Sequence, residues 1–309
     1  MNTSVFLSEN IDIVEHSENE IELGNIPDTN YPVVADAETL VTHHTAILGI
    51  TGTGKSVFTR NLIKTISKDN TKTIVVDLTG EYQEKINGIV EIVSSTNATQ
   101  IFDSISKIYG ENAKFANQRD QFIITSNEET ISNLLYKEIK AFVDSQNYIG
   151  LFNIPDITNS DNILEYTKYF FKILFKYAKE NVSNNKICVV LEEAHTLVPE
   201  YNSMGVADNS SKATVNTIAQ IALQGRKYNV GFIVVAQRTA NVSKTVLTQC
   251  NSIISFQELD KTSNDFLSSY LGGEYLDALK NLKPRTAIAV GKAFKSVVPM
   301  IFEVPIINE

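Results

Sequence analysis

Short, continuously apolar runs recur along the chain and alternate with segments in which apolar residues return every three or four positions. The runs have the length and β-branched composition of strands that are buried on both faces. They lie at residues 45–49, 73–76, 187–191, 231–235, 252–255, 286–290 and 299–304. Helical spacing follows several of them, at residues 55–67, 161–180, 211–225 and 262–281. This order predicts an α/β fold with a mostly parallel central sheet, and we expect the last two runs to be terminal strands at the sheet edge.

The clearest amphipathic pattern lies in residues 161–180. Its predicted apolar face consists of Tyr166, Tyr169, Phe170, Ile173, Leu174 and Tyr177. Three lysines line another face at helical spacing: Lys168, Lys172 and Lys176. We interpret the lysines as a solvated helix face, and contact with a phosphate backbone is the alternative.

These patterns suggest a division of the chain. Residues 33–82 and 186–309 carry the α/β pattern and are predicted to form one core. Residues 83–185 have few glycines and no strong catalytic pattern, so we predict a mostly helical insertion within that core. Residues 1–32 are acidic and loosely patterned, which favours a short N-terminal arm that contributes short strands or docks on a neighbour.

Composition narrows the classes of function. The 309 residues are 43% hydrophobic, which is enough for a sizeable core, and the formal net charge is −9. That charge argues against a broad nucleic-acid-binding surface, although a ring can contact DNA through a few residues per subunit. The two cysteines, Cys188 and Cys250, form no metal-binding pair and are interpreted as reduced, buried thiols. No apolar run approaches the ~20 residues of a membrane span, so we expect a cytoplasmic protein.

The strongest chemical signal is the phosphate-loop pattern Gly49-x-x-x-x-Gly54-Lys55-Ser56, between a predicted strand and a predicted helix. Glycines let successive N–H groups converge on phosphate oxygens, and the helix N-terminus adds positive potential. Lys55 can reach the β- and γ-phosphates, and Ser56 can ligate Mg²⁺. The loop therefore predicts ATP and Mg²⁺ as cofactors. The predicted nucleotide-binding residues are Gly49, Thr51, Gly52, Thr53, Gly54, Lys55, Ser56 and Val57.

Acidic residues follow two of the predicted strands. Glu192 and Glu193 end the run at 187–191, where the first acid can hold Mg²⁺ and the second can polarise the attacking water as general base. Asp77 ends the run at 73–76 and would face the same crevice. We predict Asp77 as a further metal or water ligand, and a capping carboxylate is an equally good interpretation.

Three more polar residues are candidates for sensing or stabilising the γ-phosphate. Gln237 ends the run at 231–235 and would lie near the γ-phosphate if that strand lies between the loop strand and the acidic strand. Arg226, near the end of a predicted helix, is a candidate arginine finger donated across a subunit interface. A helix-terminal dipole partner is the other interpretation of Arg226, and Arg238 is the second candidate for the finger.

The order of these motifs resembles the HerA branch of the HerA/FtsK ATPases. The resemblance spans residues 33–305 and includes the phosphate loop, Val76-Asp77-x-x-Gly80-Glu81-Tyr82, Glu192-Glu193-Ala194-His195, Gly225-Arg226-Lys227-Tyr228 and Gln237-Arg238, with His44 before the loop and Ala287-Ile288-Ala289-Val290-Gly291 near the end. It implies a RecA-like P-loop NTPase core and a hexameric, ATP-driven DNA translocase. It also implies a nuclease or effector partner, in DNA end processing or bacterial anti-phage defence.

The resemblance gives the residues named above the same roles, with Arg226 acting in trans. The chain departs from the family pattern at two points. Glu192 stands where the family usually has Asp, and about thirty residues stand where the family usually has a partner-docking β-barrel, as if residues 1–32 were a reduced remnant of it.

Two further functions are compatible with these motifs. The ring can be an ATP-gated scaffold that assembles and activates an effector enzyme without moving along DNA. Alternatively, the chain is a peripheral conjugation or secretion ATPase of the same superfamily.

Overall fold

The computed structural model describes residues 17–67, 71–78, 80–154, 160–181, 186–200 and 209–305. These residues form one 11-stranded sheet in the order β2-β1-β11-β10-β9-β3-β8-β7-β4-β6-β5. The strands are β1 Glu20–Asn25, β2 Pro32–Asp36, β3 Thr45–Leu48, β4 Thr71–Asp77, β5 Val90–Glu91, β6 Ile149–Asn153, β7 Lys186–Leu191, β8 Val230–Ala236, β9 Ser252–Ser255, β10 Thr286–Gly291 and β11 Met300–Glu303. The helices are α1 Ala37–Thr42, α2 Lys55–Ile66, α3 Glu81–Lys85, α4 Ser95–Asn112, α5 Gln121–Asp144, α6 Ser160–Glu180, α7 Ala194–Leu197, α8 Asn209–Gly225, α9 Lys244–Leu247, α10 Lys261–Leu271 and α11 Leu276–Lys280.

The strands from β9 to β5 in this order are parallel, and the other four pair in antiparallel fashion. The predicted α/β class with a mostly parallel sheet is therefore confirmed. Because the carboxyl ends of parallel strands meet at one edge, the segments after β3, β4, β7, β8 and β9 come together there. β8 lies between β3 and β7, which is the arrangement on which the prediction for Gln237 depended.

Helices cover both faces of the sheet, and the strand residues alternate between the two cores. In β3, Ala46 and Leu48 pack into a core formed largely with α4, α5, α6 and α8, whereas Ile47 packs on the other face with α1 and α2. All four residues of β3 are buried, as expected for a central strand. This packing on both faces holds the loop after β3 at a fixed position on the sheet edge.

The amphipathic pattern of residues 161–180 is confirmed by α6. Its six predicted core residues are at most 5% exposed. Of the lysines on the other side, Lys168 pairs with Glu165, and the Lys176 ammonium lies 5.7 Å from the centre of the Tyr136 ring. These contacts agree with a solvated helix face on which the lysine stems cover aromatic surface.

Several elements differ from their predictions. β10 and β11 are interior strands, because β1 pairs with β11 and β2 forms the edge beyond it; the expectation that they end the sheet is wrong. Residues 83–185 are mostly helical, but they also supply β5 and β6, and β6 pairs directly with β4. The single helix predicted at 262–281 is broken at Gly272, whose φ of 89° ends α10.

Among the described residues, no helix combines the length and apolarity that crossing a lipid bilayer requires.

Candidate active site

The turn between β3 and α2 has the backbone shape that a phosphate loop requires. Gly49, Gly52 and Gly54 have φ angles of 141°, 80° and 107°, in the region that favours glycine. A Cβ atom on Gly49 would also lie only 2.7 Å from the Cβ of Phe256, so close packing excludes a side chain there. Thr53 closes the turn by donating its hydroxyl to the Ile50 carbonyl at 2.7 Å. The predicted loop is therefore present as a tight turn that leads directly into α2.

Lys55 begins α2 and lies within the concave side of this turn. Its side chain is 4% exposed, and Nζ donates to the Ile50 carbonyl at 3.0 Å. Burial lowers the pKa of Lys55, because desolvation disfavours the charged ammonium. Three carboxylates act in the opposite direction through electrostatic attraction: Glu192, Glu193 and Glu258. These acids follow β7 and β9, the strands on either side of β3 and β8, so they lie on both sides of the loop.

Glu192 leaves the carboxyl end of β7 and is 6% exposed. Its Oε2 accepts a hydrogen bond from the Tyr82 hydroxyl at 2.9 Å. Burial raises the pKa of Glu192 to about 7, although the Tyr82 hydrogen bond and Lys55 favour the ionised form. Asp77, on the neighbouring β4, is also buried and accepts from the backbone N–H of Tyr82 at 3.0 Å. Tyr82 therefore joins the two predicted acidic positions into one hydrogen-bonded group.

Glu193, the predicted general base, has an unusual backbone conformation with a φ of 51° before α7. A bulky non-glycine residue with positive φ is strained, and such strain is concentrated at functional positions. Its Oε1 accepts from Gln237 Nε2 at 2.5 Å, and its Oε2 lies 3.1 Å from His195 Nδ1. Gln237 Oε1 in turn accepts from the Thr51 hydroxyl at 2.7 Å. One glutamine side chain therefore connects the phosphate loop to the candidate base.

The two candidate arginine fingers lie at opposite edges of the sheet. Arg238 follows Gln237 at the carboxyl edge and is exposed. Arg226 follows α8 and precedes the start of β8, so it lies at the amino edge, away from its own phosphate loop. Arg226 is exposed there. Burial is the main cause that lowers the pKa of His43, and the charge of Arg226 lowers it further. Arg226 therefore does not join the site of its own chain.

A cavity of about 450 Å³ lies near the ends of β1 and β11, on the side of the phosphate loop away from Gln237. Arg285 lies between the cavity and the phosphate loop. Its backbone N–H donates to the Thr53 carbonyl at 2.8 Å, and its Cα would lie 3.4 Å from a Cβ atom added to Gly54. Its guanidinium donates to the Val304 carbonyl, and its φ of 66° is strained. The cavity is lined by Asn25, Ile26, Asp28, Thr29, Asn30, Arg285, Glu303, Val304 and Pro305.

The predictions from sequence missed Glu258 and the role of Tyr82. Glu258 follows β9 and belongs to no familiar motif, so only its place three residues after an apolar run could have indicated it. Tyr82 lies five residues after Asp77, and its burial is not evident from its polar neighbours. Arg285 likewise follows no recognisable pattern. The topology of the sheet brings these residues to the loop.

The residues at this edge fit Mg²⁺ in the company of a nucleotide. Ser56 and Glu192 supply oxygen atoms, which are the ligands that Mg²⁺ prefers, and a dication offsets the cost of burying the Glu192 carboxylate. In the part of the chain that the structure describes, no group of three or more His, Cys, Asp or Glu residues is placed to hold a metal. Ser56 and Glu192 remain the predicted metal ligands, and Asp77 remains predicted as a further metal or water ligand.

A phosphate loop after a central parallel strand, with two acidic residues at the end of the next strand but one, defines a P-loop ATPase. The solved structures of that class agree with this fold. VirB4 of Thermoanaerobacter pseudethanolicus matches with a TM-score of 0.62 and 12% sequence identity, over 94% of this chain and 98% of that chain. The genome packaging NTPase B204 from Sulfolobus turreted icosahedral virus 2, in complex with ATP-gammaS, matches with a TM-score of 0.53 and 12% identity, over 86% and 98% of the two chains.

Within this class, the chain belongs to the family described as the central domain of helicase HerA, whose model matches residues 21–274. A relative is the DNA double-strand break repair helicase HerA of Sulfurisphaera tokodaii, which is 23% identical over 342 aligned positions. The alignment covers 89% of this chain and 67% of the relative. The resemblance inferred from the motifs is therefore confirmed at the level of the family.

Proposed function

We propose that the chain is the ATPase subunit of a hexameric ring that moves along duplex DNA and acts with a nuclease or another effector protein. The central observation is the bridge from Thr51 through Gln237 to Glu193, with distances of 2.7 and 2.5 Å. A γ-phosphate bound at the loop would compete for the Thr51 hydroxyl and the Gln237 amide. Its arrival and loss would therefore change the position of the segment after β8, which is what a motor needs.

The position of Arg226 supports a ring rather than an isolated subunit. A residue at the amino edge cannot reach phosphates at the carboxyl edge of the same sheet, but a head-to-tail neighbour can present it to them. Such a contact is heterologous, and it generates a closed ring when the rotation between neighbours closes. The proposed ring gives each nucleotide one site built from two chains.

The DNA part of the proposal is supported by the family and by the name of the Sulfurisphaera tokodaii relative, a DNA double-strand break repair helicase. A role with a nuclease in end processing, or with an effector in phage defence, is the form of this function that we favour. Mg²⁺ would enter with ATP and stabilise charge on the phosphates.

Steady-state ATP turnover with and without linear duplex DNA tests the motor. We expect DNA to stimulate turnover several-fold, and the stimulation to weaken as salt is raised, because phosphate contacts release counterions. The Lys55→Ala variant with DNA is the background control. If the rate of ATP turnover is unchanged by DNA but is altered by a partner protein, the ATP-gated scaffold would be favoured instead.

We assign the nucleoside part of ATP to the cavity beside Arg285. The γ-phosphate end must face Gln237 and Glu193, so the base and ribose extend to the opposite side of the loop. The volume of about 450 Å³ lies in the range of small-molecule sites, roughly 300–1,000 Å³.

Arg285→Gly tests this assignment, because glycine keeps the positive φ and removes only the side chain. We expect ATP to bind about tenfold more weakly, the loss of roughly one charged contact. Binding of inorganic triphosphate, which has no nucleoside, should change little. Lys283→Ala, an exposed neighbour outside the cavity lining, is the matched control. Equal weakening of ATP and triphosphate would place Arg285 at the phosphates and contradict the assignment.

A further inference from the structure

Glu258 is a buried carboxylate beside the phosphate loop for which the proposed reaction has no role. The pairing of β3 with β9 continues past both strands, since Phe256 N–H donates to Leu48 O at 2.8 Å and Ile50 N–H donates to Gln257 O at 2.9 Å. The segment leading to Glu258 therefore runs alongside the start of the loop. The residue is 1% exposed.

The surroundings of Glu258 are poor compensation for a buried charge. Its Oε1 accepts one hydrogen bond from the neutral hydroxyl of Thr239 at 2.8 Å. Burial raises its pKa to about 7, the Thr239 hydrogen bond and then Lys55 lower it, and Asp260 raises it further. A carboxylate in such a place costs stability, and perturbed groups of this kind are concentrated at functional sites.

A structural role alone does not explain why residue 258 carries a charge. Thr239 begins the short turn Thr239–Asn241 after Gln237 and Arg238, and its bond to Glu258 ties that turn to the segment after β9. A glutamine oxygen would accept the same hydrogen bond without the cost of burying a charge. What the carboxylate adds is its attraction for Lys55, on the side of the loop opposite Glu192 and Glu193.

The contacts of Lys55 indicate how this attraction would affect nucleotide binding. Its Nζ is bonded to Ile50 O within the loop, and three carboxylates balance its charge. Two of these, Glu192 and Glu193, have roles at the Mg²⁺ and water positions. Glu258 lies on the other side and has no such role. An incoming polyphosphate must draw the Lys55 ammonium away from this balance.

We propose that Glu258 is an internal counter-ion of Lys55 that competes with the nucleotide phosphates for the ammonium. It is a positioning residue, acting on the nucleotide through Lys55, and this inference rests on the phosphate site proposed above. Its effect is to weaken nucleotide binding and to speed the release of ADP. A ring that cycles needs such release, because tightly held ADP would stop each subunit after one turnover.

Glu258→Gln in the full chain tests the proposal by removing the charge and retaining the acceptor for Thr239. We expect Mg·ADP and Mg·ATP to bind about tenfold more tightly, the equivalent of about one pKa unit of charge interaction. ADP release should slow, and both KM and kcat should fall. A residue with only a structural role would weaken binding when replaced, so the direction of the change separates the two explanations. Unchanged or weaker ADP binding in Glu258→Gln overturns the proposal.

Thr239→Val, compared with the wild type at about pH 9, is the matched control, because it removes the hydrogen bond and leaves the carboxylate ionised above its pKa of about 7. We expect its ADP affinity to stay close to that of the wild type, and tighter binding in both variants would overturn the charge mechanism. A double-mutant cycle with Lys55→Ala provides the second measurement, since the effect of Glu258→Gln should disappear without the ammonium. Persistence of the full effect in the Lys55→Ala background also overturns the proposal.

The same measurements separate this inference from the phosphate site itself. If Lys55→Ala weakens ADP binding while Glu258→Gln binds as the wild type does, the phosphate site stands and the counter-ion is excluded. If Lys55→Ala binds ADP as the wild type does, the phosphate site and the counter-ion both fail.

Discussion

Lys55→Ala is expected to reduce ATP turnover by on the order of 10²–10³-fold, the range measured when one preorganised charge-stabilising donor is removed from an active site. Lys55 is 4% exposed and held in the concavity of the loop, so water cannot replace its ammonium at the phosphates without a cost. The variant also leaves Glu192, Glu193 and Glu258 without the cation that balances them. Nucleotide affinity should therefore fall together with turnover.

The measurement is phosphate release at saturating ATP, with binding of a fluorescent nucleotide measured in parallel. Lys64→Ala is the matched control, because Lys64 lies in the last turn of the same helix and is exposed. The control should hydrolyse ATP at the wild-type rate. Hydrolysis by Lys55→Ala within a factor of about two, well inside the loss expected for a lost donor, would remove the assignment of the phosphate loop.

The parts of the fold that follow local patterns were predictable from the sequence. β9 begins and ends at residues 252 and 255 as its apolar run predicts, and the helix after the phosphate loop ends within one residue of its prediction. Both elements are continuous in their pattern, and their ends are marked by polar residues. The phosphate loop itself was predictable because its backbone shape demands glycine at particular positions.

Other elements depend on pairing between strands that is not evident from local sequence patterns. β6 is short and lies between two long amphipathic helices, so its apolar residues merge with the helical pattern. β1 and β2 carry charged residues on an edge ribbon, where one side of each strand meets solvent, and their pattern is correspondingly weak. β10 and β11 have the pattern of ordinary strands, and nothing local indicates that a further ribbon extends the sheet beyond them.

The candidate site divides in the same way. Lys55, Glu192, Glu193 and Gln237 follow strands in recognisable motifs, and the parallel sheet brings them to one edge. Glu258 reaches that edge because β9 adjoins β3, a neighbourhood that only the strand order reveals. The strained conformation of Glu193 is similarly invisible in a sequence, since glutamate seldom adopts a positive φ.

Glu193→Gln is expected to retain ATP binding and to lower turnover by about 10²–10⁴-fold, the usual contribution of a general base. Glutamine can still accept the hydrogen bond from Gln237 through its amide oxygen, but it cannot take a proton from water. The proposed ring should therefore persist in its ATP-bound form. Light scattering with ATP would measure assembly, and phosphate release would measure turnover. A normal rate of hydrolysis would point to a different base.

Arg226→Ala is expected to lower turnover by about 10³-fold or more, within the range of an arginine finger, while a single subunit still binds ATP. Mixing this variant with Glu193→Gln decides whether the finger acts in trans. An Arg226→Ala subunit supplies an intact Glu193, and its Glu193→Gln neighbour supplies an intact Arg226, so their shared site holds both groups. Turnover should rise above that of either variant alone.

The mixture also separates the two candidate fingers. If Arg226 acted on its own phosphates, every subunit in the mixture would carry one defect and no activity would return. That outcome would conflict with its place at the amino edge of the sheet, opposite the loop. If Arg226→Ala alone hydrolyses ATP normally and Arg238→Ala does not, the finger is Arg238. Arg238 lies at the same edge of the sheet as Gln237. In that case no neighbouring subunit would be needed to supply an arginine to the bound nucleotide.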